Sequence, residues 1–365
     1  MSGKTLLLVG AGHAHLGVID DIRKDGLPCE KVVIVEPRKA MHYSGMVPGW
    51  LAGEYRASEA MIPLQPLVEE AGIEWVQASA VGIDASRKTV RLDTGDDIAF
   101  DICSIAIGGA GRARRVLGDD PRLLDIRPID RFVDRWRDLR DGAAPPRRIA
   151  VVGGGAGGLE LAIGLANAPM PKKTRVTLIA GEGGLLSDHA ASVQRKARAE
   201  LAEQGIRLIE SDASFGEEGL CVAGEELKPP ELIVAAIGSG APAWPRESGL
   251  AVDGDGFIEV DRHQRSCSHA HIFAVGDVAR RTDRRLPHSG VHAVYAGPVL
   301  ADNLRRALDG RTPTNTYRGR GMDFYLFNTG RGEAILSYGP VALKTRWLRK
   351  LKDWLDRRWI DRFTR

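Results

Sequence analysis

Residues 5–9, TLLLV, are apolar at almost every position, and the run is too short for a helix and too continuous for a strand with one wet face. Such a run predicts a strand buried on both faces, the kind found in parallel sheets. Comparable runs recur at 31–35, 102–107, 148–152, 175–179, 206–211, 232–237 and 271–275. Helix-compatible stretches lie between them, at about 59–71, around Phe132, Trp136 and Leu139, and at 189–203. Alternation of this kind predicts an α/β protein. Two other patterns interrupt it. Residues 81–84, 89–92 and 98–100 alternate between turn-rich segments and predict an antiparallel ribbon. Near the end, 322–327 and 333–338 predict a hairpin across Asn328-Thr329-Gly330. From about Val341, the residues Leu343, Trp347, Leu348, Leu351, Trp354, Leu355, Trp359 and Phe363 recur at three- and four-residue steps and predict one amphipathic helix over 343–365.

Glycine placement gives two of these strands a chemical meaning. The first runs into Gly10-Ala11-Gly12-His13-Ala14-His15, and the strand at 31–35 ends on Glu36. A strand, a tight glycine turn, a helix N-terminus and an acid about twenty residues on form the fingerprint of a dinucleotide site. The glycines admit the pyrophosphate, the helix dipole favours its charge, and the acid receives a ribose hydroxyl. His15 stands where the third small residue is expected, so it either displaces the helix slightly or puts an imidazole beside the phosphates. After a linker at 142–146, the strand 148–152 opens a second copy with all three glycines, Gly153, Gly155 and Gly158. Two copies imply two dinucleotides facing one another. In the second copy Ala180 ends the strand where an acid is expected, and Glu182 follows two residues later. No arginine marks a 2′-phosphate pocket, so comparable use of NADH and NADPH is expected.

Charge changes the picture only at the end of the chain. Residues 344–365 carry nine bases against three acids, +6, while the rest sums to −3 within a total of +3. A nearly neutral body with one basic, Trp-rich segment does not suit a nucleic-acid binder. It suits one docking element, for an anionic membrane surface, a second copy of the chain in a homodimer, or the protein's own body. No run of eighteen apolar residues is present, and the expected setting is cytoplasmic, with peripheral attachment to the inner face of the membrane through that helix. Cys29, Cys103, Cys221 and Cys267 are far apart, without CxxC spacing, and are expected as buried free thiols. No metal is expected, since neither His13/His15 nor His269/His271 has converging partners.

The order of first fingerprint, second fingerprint and a late Ile272-Phe273-Ala274-Val275-Gly276-Asp277 resembles the two-dinucleotide flavoproteins, the pyridine nucleotide-disulfide oxidoreductase family that includes type II NADH dehydrogenases, sulfide:quinone reductases and disulfide reductases. Residues 10–15, Tyr43-Ser44-Gly45-Met46-Val47-Pro48-Gly49, Ser289-Gly290-Val291-His292-Ala293-Val294 and Gly297-Pro298-Val299-Leu300 are similar, more narrowly, to the flavoprotein domain fused to selenide, water dikinase. The resemblance implies a glutathione-reductase-like fold of two Rossmann-like domains, for FAD and NAD(P)H, plus a short C-terminal β-hairpin and amphipathic helix. The expected division is 1–115 and 249–318 for FAD, 116–248 for NAD(P)H, and 319–365 for the C-terminal element.

The implied reaction carries a hydride from NADH or NADPH to FAD and on to a small-molecule electron acceptor, with a quinone foremost. Gly10, Gly12, His13, His15 and Glu36 would bind the AMP half and pyrophosphate of FAD; Tyr43, Val81, Gly108, Gly276, Asp277 and Gly290 complete the flavin set. Gly153, Gly155, Gly158 and Gly238 would bind NAD(P)H. Pro48 would shape the ring pocket, and His288 and His292 would deliver protons. This chain departs from its relatives in lacking an active-site cysteine pair and in having Val291 and Tyr295 where type II NADH dehydrogenases place glutamines. Two alternatives remain open at this point: reduction of a selenium or sulfur species for selenophosphate supply, and a flavin-loaded docking or sensing protein with little turnover.

Overall fold

The computed structural model describes residues 3–216, 219–222, 225–226, 228–319 and 324–364. Met322, expected to open the hairpin, and Arg365, expected to close the last helix, lie outside the described residues. Two five-stranded parallel sheets dominate. In the first, Thr5–Val9 lies between Lys31–Val35 and Ile102–Ile105; Glu74–Val76 adds beyond the former and Ile272–Ala274 beyond the latter. In the second, Arg148–Val152 lies between Arg175–Ile179 and Leu232–Ala235, with Arg207–Ile209 and Leu123–Asp125 outermost. Leu6, Leu7, Leu8, Val151 and Leu178 are fully enclosed, as both-face burial of a parallel sheet requires. The ribbon is a three-stranded antiparallel sheet, Ala80–Asp84, Thr89–Leu92 and Asp97–Ala99.

Three expectations are corrected. The helix expected over 59–71 is a short turn, a strand Met61–Pro63 and a helix confined to Leu64–Glu70. A helix running on from Glu59 would lose at Pro63 the N–H of an i→i−4 bond, so the helix begins after Pro63, where Pro66 falls in the first turn and no such bond is needed. The C-terminal element is a three-stranded sheet, because Val341–Thr345 pairs with Ala334–Tyr338, and the helix starts only at Arg346. Thr345 caps it, its Oγ1 accepting the Leu348 N–H at 3.1 Å. Leu343 therefore belongs to the strand, not to the helical stripe. Of the four cysteines, all free, only Cys103 is buried; Cys29 and Cys221 are half-buried and Cys267 is exposed.

The tail helix, Arg346–Thr364, packs on the body through Leu348, Asp356, Ile360 and Phe363. Ion pairs extend that contact: Arg349 to Glu54, Arg357 to Glu59, and Arg362 to the fully buried Asp20. Lys344, just before it, pairs with Glu200 and Glu203 beside the second sheet. The C-terminal element is thus tied both to Asp20, Glu54 and Glu59 and to the helix Ala191–Glu203.

Candidate active site

The first glycine turn is tight because nothing larger fits. Gly10 has φ +85° and donates its N–H to the Val35 carbonyl at 2.8 Å. Gly12 donates to the Ala106 carbonyl at 3.0 Å, and a Cβ on Gly12 would collide with that same oxygen. His15 fills the third position with a fully buried ring. Its Nδ1–H donates to the Gly10 carbonyl at 2.5 Å, which leaves Nε2 to accept from the Ser104 hydroxyl at 2.8 Å. Both nitrogens are spent inside the protein, so His15 braces the turn against the strand Ile102–Ile105 instead of presenting a nitrogen to phosphates. Burial pushes its pKa down to about 4. Close helix packing is found two residues later, where Gly17 meets Gly297 of the helix Gly290–Leu308.

His13 is different. It is the first residue of the helix His13–Asp25, it is half-buried, and its Nε2 is out of solvent with no protein partner. Burial, then the charge of Arg127, brings its pKa down to about 4. Gly290, at the N-terminus of its own helix, lies against it: a Cβ there would stand 3.2 Å from Ser44 Oγ and 3.5 Å from His13 Nε2. Asp277 closes the group, its Oδ2 accepting from Arg127 and from Ser239, each at 3.0 Å. Two helix N-termini, an unpartnered imidazole nitrogen and a carboxylate therefore converge.

At the other end of the turn, Glu36 accepts the Ala11 N–H at 2.8 Å and the Arg38 side chain at 2.6 Å. Arg38 continues to Asp130, which also receives His42 Nδ1 at 2.5 Å. Burial would raise the Asp130 carboxyl, but His42 and Arg38 hold it down at about 2. A cavity of about 740 Å³ opens here, lined by Gly10, Glu36, Arg38, Ala80 and Asp130. Val81 is 45% exposed and lies outside that lining. Gly108, at φ +73°, faces open space.

In the second turn Gly153, at φ +134°, abuts the Ala236 carbonyl, and a Cβ on Gly158 would collide with the Gly153 carbonyl. A Cβ added at Gly155, Gly157 or Gly238 would meet nothing within 4 Å, which leaves a cradle of backbone N–H groups at the start of the helix Ala156–Ala166. A cavity of about 1520 Å³ runs from the second turn to the start of the Gly290 helix, with Tyr43, Pro48, Gly155, Gly290, His288 and Lys352 among its walls.

Sequence reasoning missed a charged cluster in that wall. Lys352 of the tail helix donates to Gly45 O and to Asp356 Oδ2, each at 3.0 Å. Asp356 also receives the Tyr43 hydroxyl, and Glu160, two residues after Gly158, accepts the Asn328 N–H at 2.9 Å. Burial raises the carboxyl pKa values of Glu160 and Asp356, and burial with Asp356 raises that of Tyr43. The i,i+4 spacing of Lys352 and Asp356 was visible; their meeting with Glu160 was not. His288 stays in the cavity wall, donating to Ala279 O and packing on Phe257, whereas His292 lies outside that lining, its Nδ1 meeting Tyr317 Oη at 2.8 Å.

The family model described as pyridine nucleotide-disulphide oxidoreductase matches residues 4–297. The chain belongs to that family. This oxidoreductase is 28% identical to the probable ferredoxin reductase CtmF of Castellaniella defragrans, over 77% of this chain and 69% of that one. It is 24% identical to the demethylphylloquinone reductase NdbB of Synechocystis, over 87% and 83%. Among solved structures, NDH2 of Plasmodium falciparum in complex with NADH superposes with a TM-score of 0.80 at 12% identity, covering 99% of this chain and 98% of that one. The oxidoreductase is an FAD-dependent NAD(P)H enzyme, and its residues fit both cofactors. His13 Nε2 awaits a partner at the first turn, and the second turn keeps its backbone N–H groups uncovered. No described helix is long and apolar enough to cross a membrane.

Proposed function

We propose that this oxidoreductase passes electrons from NAD(P)H to a lipophilic acceptor of the quinone class. Bound FAD supplies the redox chemistry, taking the hydride and handing on the electrons. Gly10, Gly12, His13, Glu36, Asp277 and Gly290 hold the flavin, with His15 bracing the turn; Gly153, Gly155, Gly158 and Gly238 hold the nicotinamide dinucleotide. The two helix N-termini near His13 favour negative charge at that place. Glu160, Asp356 and Tyr43 line the cavity beside the Lys352 ammonium, with burial raising the pKa of both carboxyls, and this cluster brings groups that exchange protons to an acceptor gaining electrons. Pro48 presses on the second fingerprint helix at Gly164 and shapes the ring side of the cavity.

The observation that carries the acceptor class is the double use of the tail helix. Its inner face gives Lys352, Asp356 and Trp359 to the large cavity, Leu355 and Arg358 also line that cavity, and Trp347 (66%) and Trp354 (54%) are exposed outside it. An apolar, basic face at a cavity mouth suits attachment to an anionic membrane from which the acceptor enters. With the FAD-loaded enzyme reduced anaerobically by NADH, short-chain ubiquinone and menaquinone analogues are expected to restore the flavin absorbance. Reoxidation by ferredoxin or selenite-derived species but not by quinones would replace this reading.

The outer face gives a separate expectation. Exchanging Trp347 and Trp354 for Ser removes about 2 kcal/mol of membrane-buried area each. Co-sedimentation with phosphatidylglycerol vesicles should fall steeply and wild-type binding should weaken with salt, while folding stability changes by no more than about 0.5 kcal/mol. Unchanged sedimentation would remove the membrane from the proposal.

A further inference from the structure

Ala180 ends the second strand of the nicotinamide unit where an acid would read the ribose, but the neighbouring strand brings one to the same place. Asp212 follows Arg207–Ile209, which pairs in parallel with Arg175–Ile179. Its Oδ1 accepts the Glu182 N–H at 3.0 Å and stands 3.0 Å from where a Cβ on Gly181 would lie. Gly181 has φ +76°, so the chain turns there with no side chain between Asp212 and the strand end. The loop is folded onto the fingerprint itself. Leu186 N–H donates to Gly154 O at 2.7 Å, and the carbonyls of Ala180 and Gly184 lie 2.5 and 2.7 Å from a Cβ position on Gly154. Asp212 and Glu182 therefore stand beside the phosphate-binding turn.

The nearby guanidinium is already committed. Arg198 binds Glu210 through Nη2 at 2.5 Å and Nε at 3.4 Å, and Glu210 is fixed in turn by the Leu185 N–H at 2.8 Å. We propose that Asp212, seconded by Glu182, selects NADH over NADPH. A ribose 2′-hydroxyl donates to the Asp212 carboxylate; a 2′-phosphate meets two carboxylates, with the Arg198 guanidinium held by Glu210. The expected poor discrimination is thereby replaced with a definite preference.

Calorimetric titration of the FAD-loaded protein with NAD+ and NADP+ reads this without turnover. NAD+ is expected to bind about 100-fold more tightly, and Asp212→Asn to cut that ratio about tenfold. Glu210→Gln, which releases Arg198, is expected to raise NADP+ affinity. Competition between 5′-ADP and 2′,5′-ADP for the wild-type site gives the same answer without any variant, 5′-ADP binding the more tightly. Equal affinity for NAD+ and NADP+, or a ratio untouched by Asp212→Asn in a folded, yellow protein, overturns the proposal.

Discussion

Acidification from pH 7 to pH 5 is expected to destabilise this protein by about 4 kcal/mol, before most of its carboxylates titrate. The cause is the pair of imidazoles at the first turn, the half-buried His13 and the fully buried His15, each with its pKa pushed down from 6.5 to about 4, first by burial and for His13 also by Arg127. Protons bind these rings more readily in the unfolded chain than in the folded one. The stability they give is therefore complete above about 6.5 and lost progressively as pH falls towards about 4. At pH 5 each ring accounts for about 2 kcal/mol of that loss, and at pH 4 for about 3. Thermal unfolding followed by circular dichroism at half-unit pH steps measures it. His15→Gln, which leaves the position uncharged at every pH, should flatten the slope by about half even if the variant starts less stable. A wild-type melting temperature that stays level from pH 7 to pH 5 would show that the rings are hydrated and the bracing described for His15 is loose.

The other large effect is expected from Gly12→Val. Its side chain must displace the Ala106 carbonyl, which accepts the Gly12 N–H and cannot withdraw without pulling on the strand Ile102–Ile105. The turn opens, the N–H groups at the start of His13–Asp25 lose their common direction, and FAD affinity should fall by at least about 100-fold. The variant should purify colourless and stay so after incubation with FAD, as read from the 450 nm to 280 nm absorbance ratio, while circular dichroism reports a folded protein. A yellow variant would move the flavin away from this turn.

Which parts of this were legible in the sequence follows from how far apart the cooperating residues lie. Both glycine turns could be read because a strand, its turn and the following helix are contiguous, and each signal is local. The C-terminal strand was lost to the helix beside it. Leu343 stands four residues before Trp347 and so continues the spacing of the tail, and only pairing with Ala334–Tyr338 shows that Val341 and Leu343 alternate along a strand. Glu160 and the Lys352–Asp356 pair meet across about half of the chain length, which no periodicity records. Asp212 was passed over for the same reason: it substitutes for an acid missing from a different strand. His13 and His15 look equivalent in the motif, yet one ends with an unpartnered nitrogen and the other with both nitrogens engaged, because Ser104 comes from a strand about ninety residues on.

The first sheet holds one more consequence. Its edge strand Ile272–Ala274 pairs with Ile102–Ile105, and the whole second sheet lies between them in the chain. The flavin cradle therefore cannot be finished by its own early residues: Asp277 and the Gly290 helix arrive only after the nicotinamide unit has been traversed. Pairings of such wide sequence separation carry a large loop-closure cost before they return any contact energy. Refolding from denaturant should accordingly regain helical signal early and flavin binding last, with the two nucleotide sites maturing in the reverse of their order along the chain.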